Sequence, residues 1–249
     1  MKSQREYNAE YYDASTTSTA DIGFYANFVD EQTRVLELGC GSGRVTASLL
    51  ETAGAVIGVD ISKAMLDRAR AKTGGDPDVF VHGDITTIEL AQRFDLIIAP
   101  FRVLQALEHD AQVDGLFEVI RAHLAPGGLA ILNVFEPLYG REEMAHRWPR
   151  EGETPDGQVT LSGGDTLVMA DERKHFDADR QVLYPRLIYR RYRDGALIDE
   201  HINPICMRYY YPEQLIALVE DHGFSIIDTW GGYGDEPYGE GGELVVAFR

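Results

Sequence analysis

Cysteine is almost missing from this chain. Cys40 and Cys206 are the only two among 249 residues, so no disulfide framework can be built and the chain reads as belonging to a reducing compartment. Cations are scarce as well. Lysine and arginine together number 23 against 41 aspartates and glutamates, a formal net charge of -18. A field of that sign repels phosphate backbones and anionic lipid heads, which excludes nucleic acid and membrane surfaces from the expected partners. No apolar run approaches the roughly 18 residues of a membrane-spanning helix. Met1 to Asp13 is polar and tyrosine-rich and lacks an apolar signal core. From these absences we expect a cytoplasmic protein. Internal repeats and low-complexity tracts are missing too, and His, Cys and carboxylates show no tight metal-ligand spacing, so no metal is expected.

What is present is a strand–helix alternation. Val35 to Leu38 is a short apolar strand running into glycines, and Arg44 to Thr52 follows with helical periodicity. Ala55 to Asp60 is a second strand, and Ser62 is placed to cap a helix from Lys63 to Lys72. Val79 to Val81, Phe94 to Ala99 and Leu129 to Phe135 complete a set of continuous apolar strands, with a helix from Gln112 to Leu124 before the last. Strands that are apolar throughout belong to a parallel sheet covered on both faces, hence a doubly wound α/β fold. After Pro137 the rhythm changes to alternating apolar and charged runs, Leu183 to Tyr192 and Ile198 to Tyr209, around the hairpin signal Asp194-Gly195. This segment reads as an antiparallel β insertion. Pro212 then opens a helix, and Phe224 to Thr229 and Glu243 to Phe248 are two closing strands. The resulting layout is an N-terminal arm (1–30), a core (31–136), the insertion (137–211) and a completion of the core sheet (212–249).

The strongest signal is the stretch Val35-Leu36-Glu37-Leu38-Gly39-Cys40-Gly41-Ser42-Gly43-Arg44-Val45. Glycines between a strand and a helix let the backbone turn tightly and approach a ligand. Asp60, about twenty residues further on, stands at a strand end where a carboxylate can bind two ribose hydroxyls. The spacing is Gly-x-Gly-x-Gly rather than the Gly-x-Gly-x-x-Gly of dinucleotide binders, and no Gly-Lys-Ser/Thr of a triphosphate loop follows. Cys40, inside this turn, reads as a small packing residue rather than a nucleophile.

With Glu37 to Gly43, Val59-Asp60-Ile61-Ser62, Met65-Leu66, Gly83-Asp84-Ile85, Phe94-Asp95 and Leu124 to Gly128 in this order, the chain resembles the class I S-adenosylmethionine-dependent methyltransferases. The resemblance implies a Rossmann-like seven-stranded sheet with a terminal antiparallel strand, and S-adenosylmethionine as cofactor. It further implies that Glu37, Gly39, Cys40, Gly41 and Gly43 lie along the methionine part and that Asp60 holds the ribose. Ile61 and Met65 would flank the adenine, Gly83, Asp84 and Ile85 would read its edge, and Ala99, Pro100 and Phe101 would line the methyl-transfer cleft. In similar small-molecule methyltransferases a tyrosine-bearing arm closes over the cofactor. That gives Tyr12 a cofactor contact and Tyr11 a catalytic one, with Tyr7 on the same arm, and the arm itself, polar and without a clear apolar face, is expected to be mobile when free.

Around the acceptor, Arg102 and Gln105 follow the fourth strand, whose end faces the ligand crevice in doubly wound sheets. His201, beside Glu200, is the candidate base, because a histidine near an acid accepts a proton at neutral pH. Amino-sugar N-methyltransferases have a comparable insertion and tyrosine arm, although some carry a histidine where this chain has Gln105. The expected activity is direct in-line methyl transfer to a small molecule, with nitrogen favoured over oxygen or carbon because acidic surroundings attract a cation. The chain is expected to act as a monomer or homodimer. The competing readings are a non-catalytic cofactor-binding regulator and a nicotinamide-dependent oxidoreductase. The glycine spacing and the lack of Tyr-x-x-x-Lys argue against the second.

Overall fold

Continuous burial, rather than alternation, marks the central strands. In β1 (Arg34–Leu38) every residue after Arg34 is buried, and β4 (Phe94–Ala99) is nearly the same. Such strands need cover on both faces. They build a seven-stranded sheet from β1, β2 (Ala55–Asp60), β3 (Phe80–His82), β4, β5 (Leu124–Phe135), β11 (Ile226–Trp230) and β12 (Glu243–Phe248). The order is β11-β12-β5-β4-β1-β2-β3. β12 runs antiparallel to both β5 and β11, and the other pairings are parallel. The strand order therefore reverses between β1 and β4, and the crevice at their carboxyl ends is where open α/β sheets bind ligands. The computed structural model describes residues 8–16, 18–74, 76, 78–234 and 236–249, so Tyr7 lies outside the described residues.

Helices cover this sheet where capping chemistry starts them. α3 (Arg44–Leu49) begins at Gly43, whose φ of 76° is the left-handed conformation a glycine tolerates. It is shorter than the predicted Arg44 to Thr52. The Ser62 hydroxyl accepts from the Met65 N–H and starts α4 (Lys63–Thr73), which ends on left-handed Gly74. α5 (Asp110–His123) is capped at His109, whose N–H donates to Gln112. α7 (Pro212–Asp221) has proline at its first position. Leu36, Leu38, Ile97, Ala99, Leu132 and Val246 meet helix side chains such as Phe117, Ile120 and Leu215 in one cluster. A second cluster holds Val35, Leu96, Ile98 and Val245 with Phe24 and Tyr25 of α2 (Ala20–Ala26).

The chain divides into two compact units. One is Ser18–Leu138 with Tyr209–Arg249, the unit just described. The other joins the described part of Met1–Thr17 to Tyr139–Arg208. The tyrosine run Tyr209 to Tyr211 thus belongs to the core unit, and the predicted arm is shared out: α1 (Ala9–Ser15) goes with the insertion and α2 with the core.

The insertion unit is an antiparallel sheet of β6 (Glu153–Thr160), β7 (Thr166–Asp177), β8 (Val182–Arg193), β9 (Ala196–Pro204) and the short β10 (Met207–Arg208), with α6 (Arg141–Arg147) before it. Asp194 and Gly195, at φ of 50° and 80°, make the β8–β9 hairpin turn. The predicted run from Ile198 to Tyr209 is split, because β9 ends at Pro204, Ile205 and Cys206 lie outside the strand and Met207–Arg208 pairs again with β8. The expectation of an arm without an apolar face is also corrected. Asn8 caps α1, and Tyr11, 2% exposed, packs with Leu161, Leu167, Met169 and Tyr189 of this sheet. Its hydroxyl donates to Asp199. Tyr11, read above as a catalytic residue, is the packing anchor of α1.

Candidate functional site

At the carboxyl end of β1 the three glycines have different tasks. Gly39 and Gly43, both left-handed, lie under neighbours. A Cβ on Gly39 would come within 2.6 Å of Val103, and one on Gly43 within 2.8 Å of Ala69. Gly41, at φ 54°, has no atom within 4 Å of that position and is open. Close packing fixes the two ends of the turn, and its middle presents bare backbone. Cys40 is buried, its thiol pushed well up by burial, and Gly58 of β2 has no side chain because Cys40 and Thr46 occupy that space. The packing role read from the sequence for Cys40 is what the geometry shows.

Asp60 ends β2 and closes this turn. Its Oδ2 accepts from the Gly41 N–H at 2.9 Å and its Oδ1 from the Ser62 N–H at 2.7 Å. Burial nevertheless raises its pKa, outweighing the amides that stabilise the anion. Next to it Ile61 is 44% exposed, whereas Met65 is buried, so Ile61 carries the open apolar surface. After β3, Asp84 Oδ1 accepts from the Thr86 N–H and hydroxyl at 2.9 and 2.7 Å. Gly83 lies under Ile88, where a Cβ would stand 2.4 Å from its Cδ1, and Ile85 is partly buried against the core. Glu37, one position before the end of β1, is 2% exposed. Its carboxyl accepts from the Thr46 hydroxyl, and burial drives its pKa up to about 8. The nearby Arg44 guanidinium forks onto Asp21 at 2.6 Å on both arms.

Beyond β4, Ala99 and Pro100 are buried and Phe101 is 42% exposed. Phe101 and Arg102 both stand in the left-handed region, at φ of 54° and 67°. Arg102 was expected to face an acceptor. Its guanidinium is instead paired with Glu243 of β12 and lies 5.5 Å from the Phe135 ring centre. Gln105, expected in the same role, is fully buried and accepts from the Phe135 N–H at 2.8 Å, tying the short 3-10 turn Leu104–Ala106 to β5. The Gln105 carboxamide oxygen thus finds its partner on β5 and the half-exposed Arg102 guanidinium on β12, while the buried Gln105 Nε2 has no partner among the described residues.

His201 and Tyr12 belong to the other unit. Tyr12 sits on α1, half-buried. His201 sits on β9 opposite Tyr189, ring centres 6.5 Å apart, and its Nε2 is buried without a partner among the described residues. Glu200 is not its carboxylate. Neighbours on a strand point to opposite faces, and Glu200 accepts from Arg190 at 2.6 Å. On the His201 face stands Asn203, 3% exposed, with its Nδ2 also unpartnered among the described residues. The sequence reading missed Asn203, and it missed Asn133 and Glu243. A lone Asn in an apolar strand such as Leu132-Asn133-Val134 was the available signal. No three of His, Cys, Asp and Glu converge as a metal cluster would among the described residues.

A mostly parallel sheet with a switch point, an open glycine turn and a half-buried acid at the next strand end define a nucleoside-type cofactor domain. Residues 35–128 match a methyltransferase domain family. The chain is 29% identical over 129 residues to a dTDP-3-amino-3,6-dideoxy-α-D-glucopyranose N,N-dimethyltransferase from Streptomyces fradiae, covering 51% of this chain and 48% of that one. Among solved structures it resembles the CcbJ methyltransferase from Streptomyces caelestis, with TM-score 0.75 and 24% identity over 98% of this chain and 96% of that one. It also resembles SAM-bound CalS10, an amino pentose methyltransferase from Micromonospora echinaspora, with TM-score 0.71 and 21% identity over 95% and 94%. Over residues 35–128 the chain is thus similar to methyltransferase domains, in line with its resemblance to the class I S-adenosylmethionine-dependent methyltransferases. It spans about half the length of the curated relatives it matches.

Proposed function

We propose that this protein transfers a methyl group from S-adenosylmethionine to a nitrogen of a small-molecule acceptor, an amino sugar or a related amine. The observation that carries the reading is the pairing of Gly41, open and left-handed, with Asp60 at the adjacent strand end. The residues fit the cofactor. The open Cβ position of Gly41 lets a ligand approach the backbone closely, the half-buried Asp60 suits two hydroxyls, Ile61 gives a flat base an apolar surface, and Asp84 suits its polar edge. When bound, the cofactor supplies a methyl group on a positively charged sulfur, already activated for displacement.

The chain's own work is then alignment. The glycine turn and Asp60 hold one partner, Phe101 at the end of β4 walls the reacting region, and the exclusion of water keeps the approach in line. Nitrogen is favoured by the net charge of -18, which attracts cations, and by the amino-sugar relatives. Titration calorimetry with S-adenosylhomocysteine and with NADH tests the cofactor. Mass spectrometry of incubations with dTDP-3-amino-3,6-dideoxyglucose, free amines, phenols and carboxylates tests the acceptor. Binding of NADH alone, or methylation confined to oxygen acceptors, rejects the respective half.

A further inference from the structure

Two consecutive non-glycine residues in the left-handed region, Phe101 and Arg102, need outside support, because the conformation is disfavoured by the Cβ. The support is specific. The Arg102 N–H donates at 3.0 Å to Asn133 Oδ1, and Asn133 Nδ2 donates at 2.8 Å to Glu243 Oε2. The other carboxylate oxygen, Oε1, takes the Arg102 guanidinium, with Nε at 3.2 Å. Asn133 is 1% exposed between Leu132 and Val134 near the end of β5, and its side chain makes both of these contacts. Gln105 fastens the far side, its N–H donating to the Arg102 carbonyl at 3.1 Å while its Oε1 takes the Phe135 N–H.

The turn held in this way adjoins the glycine turn. Val103 fills the space above Gly39, and the Phe101 ring centre is 5.5 Å from the Arg44 guanidinium at the start of α3. The geometry points to Asn133 and Glu243 as positioning residues: by clamping the Phe101–Arg102 turn they set the Phe101 ring against the methyl-donor end of the cofactor bound at Gly39 to Gly43. The inference rests on the cofactor reading above and extends it to two residues that touch neither cofactor nor acceptor. Asn133 serves as a relay here, with its acceptor on the strained peptide and its donor on the carboxylate. Alanine at 133 removes both ends, and glutamine at 243 can keep only one of the two acceptors.

The test uses the full chain and needs no acceptor. S-adenosylmethionine carrying carbon-13 in its methyl is bound to the wild type, Phe101→Leu, Asn133→Ala and Glu243→Gln, and the methyl proton shift is read by NMR. Ring current from Phe101 moves the wild-type signal away from its free position. Phe101→Leu abolishes that displacement. Asn133→Ala and Glu243→Gln reduce it by most of its size, while the Kd for S-adenosylhomocysteine changes by less than about threefold. Hydrogen exchange at the Arg102 amide becomes at least about tenfold faster in Asn133→Ala. Arg102→Gly accepts the left-handed φ without support, so Asn133→Ala changes the shift less in that background than alone. An unaltered methyl shift in Asn133→Ala, or loss of shift and affinity together by the same factor, overturns the clamp. A wild type that fails to bind S-adenosylhomocysteine overturns the cofactor reading and the clamp's role with it. Slow Arg102 exchange in that protein still shows the hydrogen bond to be intact, which separates the two failures.

Discussion

In the antiparallel unit, Asp165, Glu172 and Glu153 are neutralised where they stand. Asp165 takes Arg191 at 2.6 Å and Arg193 at 2.9 Å, and these hold its pKa down at about 2. Glu172 pairs with Lys174 and Arg186, and Glu153 with Arg190, each lowered by its cation. At the carboxyl edge of the parallel sheet the pattern is reversed. Glu37 is hydrogen-bonded to a hydroxyl and Asp60 to backbone amides, and burial raises both despite the nearby Arg44 and His82. Charge in the first unit is spent on structure. In the second it is left under-compensated beside a bare glycine turn, an arrangement expected where a ligand completes the site.

The largest break in this contrast comes from pH. Glu37 has a folded pKa of about 8, against roughly 4.3 unfolded. The folded state keeps a proton that the unfolded state has lost, so stability is full below the unfolded value and declines as pH rises towards about 8. The limiting slope is about 1.4 kcal/mol per pH unit. Glu37→Gln keeps an acceptor for the Thr46 hydroxyl and removes the titration. Urea melts at pH 5, 6, 7 and 8 are therefore expected to show falling stability in the wild type and a flat profile in the variant. Parallel profiles would mean that Glu37 is ionised and compensated like the carboxylates of the other unit.

Asp60→Ala probes the other uncompensated acid. Loss of a charged acceptor for two hydroxyls is expected to cost roughly 1.5–3 kcal/mol of cofactor affinity, about tenfold to a hundredfold in Kd. Calorimetry with S-adenosylhomocysteine reads this directly, and an unchanged Kd removes Asp60 from the site.

The contrast also explains what was legible beforehand. β1, β2 and β4 were readable because burial on both faces leaves continuous apolar runs such as Phe94 to Ala99, and Ser62, Gly43 and Pro212 advertise helix starts. The glycine turn and Asp60 were readable because backbone chemistry demands those residue types. β6 was not, because an exposed strand with Pro, Asp and Gly at its centre looks like a loop, and neither was β7, whose apolar start gives way to the charged run Asp171 to Lys174. Arg102 and Gln105 were assigned to a cleft because their partners, Glu243 and Phe135, lie 141 and 30 residues away in the chain. Asn133 was overlooked because its partner on the Arg102 backbone carries no signature in the sequence.

Asp165→Asn sharpens the structural side. The variant keeps the shape and loses the anion that holds Arg191 and Arg193, so Tm is expected to fall by about 5 °C, with no change in S-adenosylhomocysteine affinity. The pH profile has the opposite sign to that of Glu37. A carboxylate held at about 2 stabilises above the unfolded value and loses that contribution as pH falls through 2. Calorimetric scans between pH 2 and 5 should therefore show a steeper acid limb in the wild type than in Asp165→Asn. A drop in cofactor affinity in this variant would dissolve the distinction between the two uses of charge.

The smallest effect concerns α1. Tyr11 has its ring in the core of the antiparallel unit and its hydroxyl on Asp199. Tyr11→Phe keeps the ring contacts with Tyr189 and Leu167 and removes only that hydrogen bond. The carboxylate left behind is solvent-exposed, so it pays little for losing its partner. The expected loss is about 1 kcal/mol, a Tm shift of about 2–4 °C. If the tyrosine serves packing alone, methyl-transfer rate and cofactor affinity stay at wild-type values, and hydrogen exchange across Ala9 to Ser15 is slow with or without S-adenosylhomocysteine. If the helix instead closes over a ligand, exchange there slows only on binding and Tyr11→Phe loses far more turnover than stability. Exchange measured in the free and ligand-bound protein thus decides whether α1 belongs with the structural charges around it or with the ligand-completed edge of the other unit.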